Sequence, residues 1–161
     1  MIPAIVSLCV LAAYIAATCF MCKGVPKSIS STFYELKHGW IFTITLWVVA
    51  FTLLPTWLEV GNPYFQFLVF FSCMGLAFVG AAPHFKTYEH DVHVYATAVC
   101  ALSATVWVIC NVPLLIALWL VWAMYIAVQV RGGKSFLECK PLFWAEIIAF
   151  VITYSAIFIV S

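Results

Sequence analysis

Residues 83–95 read PHFKTYEHDVHVY and hold three of the chain's four histidines, His84, His90 and His93, with Glu89 and Asp91 among them. On either side the sequence turns oily. GLAFVGAA runs up to this stretch from Gly75, and YATAVCALSATVWVIC leads away from it as far as Cys110. Dense polar chemistry between two apolar runs is the pattern of a loop joining membrane-spanning helices, because a helix needs about 20 mostly apolar residues to cross the hydrocarbon core.

The rest of the chain repeats that pattern. Of 161 residues, 66% are hydrophobic and 8% charged, against roughly 25% charged in ordinary soluble domains, so the solvent for most of this chain is lipid. Six apolar runs of about 18 residues or more can be cut from it, at 2–22, 40–60, 64–82, 93–110, 113–130 and 141–160. The expected fold is therefore all-α: a single transmembrane domain over 1–161, a polytopic bundle of six helices with N- and C-termini extracytoplasmic. The first run lacks a cationic leading segment, and Met21-Cys22-Lys23 follows it instead of a small-residue cleavage site, so it reads as a retained helix. Of the seven cysteines, Cys9, Cys19, Cys73, Cys100 and Cys110 fall inside apolar runs, where cysteine acts as a small hydrophobe and not as part of a disulfide framework.

Orientation follows from the basic residues. Lys23, Lys27, Lys37, Lys86, Arg131, Lys134 and Lys140 all lie in connections 1, 3 and 5. By the positive-inside rule these connections are cytoplasmic, in the inner or plasma membrane of the cell. The net charge of +1 argues against nucleic acid as a partner, since phosphate contacts need a basic surface. Membrane lipids, other membrane proteins or a second copy of the chain are the expected partners.

Local signals refine the helices. Thr32 and Glu35 have capping-box spacing, which starts the second helix as an interfacial turn before it enters the membrane at Trp40. Pro55 is expected to kink that helix. Gly61-Asn62-Pro63 and Asn111-Val112 are turns too short for anything but antiparallel neighbours. Cys73, Ala77 and Ala81 in the third helix, and Ala96, Cys100 and Ala104 in the fourth, present small faces for close approach.

The candidate chemistry gathers at the cytoplasmic boundary. With the fourth helix begun a turn early, His90 and His93 share one helical face, and His84 could fold over as a third ligand to a divalent metal such as zinc. Glu89 or Asp91 would then orient a ligand or act as a base on metal-bound water. Glu146 lies about 9 Å along the sixth helix from Lys140, within the acyl boundary, where an acid marks either function or a buried partner. Interfacial histidines that merely keep one edge wet are the alternative for all three imidazoles, and a structural hydrogen bond to a neighbouring helix is the alternative for Glu146.

The passage GLAFVGAAPHFKTYEHDVHVYATAV, Gly75 to Val99, resembles a pattern in small uncharacterised six-helix membrane proteins of bacteria and their phages. There a helix ends in glycine and proline, an acidic loop follows, and a histidine opens the next helix; Pro83 and His93 would take those places. The resemblance implies a six-helix bundle and carries no substrate. The expected function is binding of lipid or of another membrane protein. A metal-dependent membrane enzyme with a histidine-rich site at the cytoplasmic face, and a small oligomeric transporter or channel, are the alternatives.

Overall fold

The computed structural model describes every residue from Met1 to Ser161. It is helical throughout, without a strand: α1 (Ile2–Met21), α2 (Thr32–Glu35), α3 (Trp40–Glu59), α4 (Gln66–Ala81), α5 (Glu89–Asn111), α6 (Leu118–Arg131) and α7 (Pro141–Val160). Five helical stretches are long and apolar enough to cross a membrane. One of these, Pro63–Asn111, covers 49 residues and doubles back on itself, because a 3₁₀ run over Ala82–Tyr88 separates α4 from α5.

Several boundaries differ from the sequence expectation. The fourth apolar helix begins at Glu89 and not at His93. Inside the preceding 3₁₀ run the chain breaks at Lys86, with φ 50° and ψ −104°, and α5 starts three residues on, with Glu89 and Asp91 in its first turn, where carboxylates complement the helix dipole. Thr32–Glu35 is a separate helical turn, closed by extended backbone at Leu36, and does not run on into α3. The expected capping box is not made: Thr32 Oγ1 donates to the Ile29 carbonyl at 2.5 Å, and Glu35 accepts from the Cys22 thiol. Pro113–Ala117 is 3₁₀, which moves the start of α6 to Leu118. Pro55 lies within α3 without ending it.

In chain order, α1 packs on α3, α3 on α4 and α4 on α5, while α7 lies against both α5 and α6. Helices α4 and α5 come close at Gly75, where a Cβ would stand 2.8 Å from the Cys100 amide nitrogen and 2.9 Å from the Ala96 carbonyl oxygen. The small face of α5 is therefore used as expected, but its partner on α4 is Gly75. On the second small face, the backbone carbonyl of Ala77 accepts the Trp47 indole N–H of α3 at 2.9 Å.

Hydroxyls lie inside and hydrocarbon outside. The buried polar residues are all serine or threonine, Ser7, Thr43 and Ser72 among them, whereas Phe20 and Leu114 are 85% and 86% exposed. Ser7 Oγ donates to the Val49 carbonyl at 2.9 Å. Its single proton being used there, the Tyr154 hydroxyl at 2.6 Å is the donor to Ser7, and α1, α3 and α7 meet at one oxygen. Such interhelical bonds contribute about 0.6 kcal/mol each on average in a bilayer, where lipid tails remove the hydrophobic drive between helices.

The connections sort to two ends. Connections 1 and 3 face each other across a polar pocket. Connections 2 and 4 meet where the Asn62 amide donates to Asn111 Oδ1 at 2.9 Å.

Candidate functional site at the connection 1 and connection 3 end

The serines of KSISST in connection 1 fold into an interlocked turn. Ser31 Oγ donates to the Ser28 carbonyl at 2.8 Å, the Ser31 amide donates to Ser28 Oγ at 2.9 Å, and Ser28 Oγ lies 3.1 Å from Ser30 Oγ. Short side chains that bond to nearby backbone stabilise such a turn without a regular element. Behind it stands Glu146. Its carboxyl group accepts the Ile29 amide in a short hydrogen bond. The acid expected to carry chemistry or to have a buried partner thus has a backbone partner, 117 residues away in sequence.

In front of the serine turn is a pocket of about 530 Å³, walled on its far side by Lys86, Thr87, Glu89, His90 and His93. His90 and His93 share one face of α5, as their spacing requires, and Glu89 lines the same pocket. His93 is half-buried, while His90 and Lys86 are exposed.

His84 does not join them. Thr43 Oγ1 gives its proton to the Gly80 carbonyl at 2.7 Å, so His84 Nε2, 3.2 Å from that oxygen, is the donor and carries the ring proton. The ring also stands edge-on to Phe33. The change in chain direction at Lys86 separates this imidazole from the other two. No three side chains among His, Cys, Asp and Glu come together as a metal-ligand group, so the expected three-histidine convergence is not the arrangement found. Asp91 lies on the other side of α5, at the edge of an apolar groove, apart from Glu89.

That groove, about 650 Å³, runs between α4 and α5 and is lined by Phe70, Phe71, Met74, Phe78 and Val99, with Tyr88 and Asp91 at the end nearest connection 3. Sequence reasoning missed it, since no single residue marks it. A signal was present in the phenylalanines at 67, 70, 71 and 78, which helical spacing turns toward one side.

Fold and site together define an all-helical protein with membrane-length apolar helices, a polar pocket at one end and an apolar groove along one flank. In comparison with known proteins, no family model, no curated protein and no solved structure matches the chain.

Proposed function

We propose that this chain is a multi-pass integral protein of the cytoplasmic membrane, crossing it six times, and that it binds lipid. In this reading α1, α3, α4, α5, α6 and α7 each make one crossing. Connections 1, 3 and 5 face the cytoplasm, and Met1 and Ser161 lie on the outer side. The resemblance of Gly75–Val99 to small six-helix membrane proteins belongs to the same reading.

The observation that carries lipid binding is the α4–α5 groove. Its walls are rings and aliphatic chains, its size falls within the roughly 300–1,000 Å³ of ligand sites, and Tyr88 and Asp91 mark the end nearest connection 3, where a headgroup would lie. Exposed apolar side chains on α6, such as Leu120, Met124 and Val128, meet bulk lipid instead, with only Ile126 of that helix buried.

A phospholipid with a photoactivatable acyl chain, incorporated into membranes holding the protein, tests this. Crosslinks concentrated on Phe70, Phe71, Met74, Phe78 and Val99, and lost in Met74→Trp, are expected. Equal labelling of Leu120, Met124 and Val128 would show only the lipid that surrounds any membrane protein and would reject the reading.

A further inference from the structure

We propose that the pocket between the serine turn and the first turn of α5 binds a phosphate group, borne by a lipid headgroup or free in solution. The pocket lies on the opposite side of α5 from the acyl-chain groove and does not depend on it. Only the headgroup source rests on the membrane position argued above.

The serine wall supplies shape. Its hydroxyls are engaged in its own bonds, Ser31 with the Ser28 carbonyl and Ser28 with Ser30, and Glu146 holds the turn in place through the Ile29 amide. The opposite wall supplies the free groups. Lys86 brings an ammonium, His90 and His93 bring imidazoles from one helical face, and Thr87 brings a hydroxyl, while Tyr34 lines the pocket from the serine side. A neutral imidazole still donates one N–H and a protonated one two, so both rings are donors in either charge state. Glu89 is the single carboxylate in the lining and opposes an anion.

A volume of about 530 Å³ leaves room for a tetrahedral oxyanion and bridging water. Phosphate offers several acceptor oxygens to dispersed donors, and lysine binds it well as a point charge. A divalent cation suits the pocket less well, since the Lys86 ammonium shares it and no group of three ligands forms.

The test uses the full chain in neutral detergent with ¹⁵N-labelled histidine, following the imidazole nitrogens of His90 and His93. It is titrated separately with inorganic phosphate and with short-chain phosphatidylglycerol. His84, bonded to Thr43 outside the pocket, reports that the fold persists. Saturable shifts at His90 and His93 are expected, with His84 unmoved. Lys86→Gln and His90→Gln, both at exposed positions, should each weaken binding at least tenfold, and Glu89→Gln should tighten it severalfold. Saturation by phosphate alone identifies the free anion as the ligand. Saturation by the lipid alone identifies the headgroup, and either result supports the site. Absence of shifts with both ligands, shifts undiminished in Lys86→Gln, or saturation by zinc ion alone would overturn the proposal. Failure of acyl-chain photolabelling in the α4–α5 groove would leave these readouts unaffected.

Discussion

The Glu146 carboxyl group on α7 accepts the backbone amide of Ile29 in connection 1, so the one acid of the last helix fastens the first loop of the chain. A hydrogen bond contributes about 1 kcal/mol net, and an amide left unpaired costs more than the bond alone. Glu146→Ala should therefore release the serine turn and lower the thermal midpoint in detergent. Tryptic cleavage after Lys27, which adjoins the turn, should accelerate by an order of magnitude or more, while Glu146→Gln, keeping one acceptor oxygen, should fall between. A cleavage rate unchanged in Glu146→Ala would show that the contact does not hold the loop.

Gly75 sets the distance between α4 and α5. A methyl group there would press on the Cys100 amide and the Ala96 carbonyl, and backbone cannot give way as a side-chain tip can. Gly75→Ala should cost about 1–3 kcal/mol, as overpacking does, and Gly75→Leu should separate the two helices. Unfolding curves in mixed micelles measure the first, and loss of a monodisperse elution peak reports the second.

Trp57 and Trp107 meet edge to face, ring centroids 5.4 Å apart, and both indole nitrogens are buried without a hydrogen-bond partner. Trp107→Phe keeps most of the ring and removes an unpaired donor, so its cost should stay within about 1 kcal/mol. Trp107→Ala leaves a cavity and should cost about 3–5 kcal/mol. Equal losses for the two variants would mean that the indole N–H has a partner after all. Gly61 beside this pair has φ +78°, and a Cβ there would meet Trp107 at 2.7 Å, so Gly61→Ala should disturb the same corner.

In the loop between α6 and α7, the Ser135 amide donates to Glu138 at 2.7 Å. This bond and the Ser135 hydroxyl hold the Glu138 carboxyl below the ordinary glutamate value. A depressed carboxylate stabilises the folded loop above its unfolded pKa, and that contribution is lost as pH falls through the folded value. The Ser135 amide resonance should accordingly titrate with a midpoint below that of an unstructured glutamate, and Ser135→Ala should move the Glu138 midpoint upward.

The apolar runs were legible because lipid-length hydrophobicity needs no tertiary knowledge: each run is helical, and the small face at Ala96 and Cys100 is buried where its spacing placed it. What escaped depended on contacts distant in sequence or on single torsions. The partner of Glu146 lies 117 residues away, and nothing around Ile29 marks its amide as a donor to an acid on the last apolar helix. The separation of His84 from His90 and His93 follows from the backbone at Lys86, whose positive φ of 50° falls on a lysine and not on a glycine that would have announced it.

The proposed topology has six helices crossing a membrane, with connections 1, 3 and 5 on its cytoplasmic side. Single cysteines, introduced as Lys27→Cys, Asn62→Cys, Thr87→Cys, Val112→Cys and Lys134→Cys into a chain whose native cysteines are replaced by serine or alanine, can be exposed to an impermeant thiol reagent on intact cells. The account predicts labelling of the Asn62→Cys and Val112→Cys variants before lysis, and of the Lys27→Cys, Thr87→Cys and Lys134→Cys variants only after it. Labelling of the Thr87→Cys variant on intact cells together with that of Asn62→Cys would contradict it.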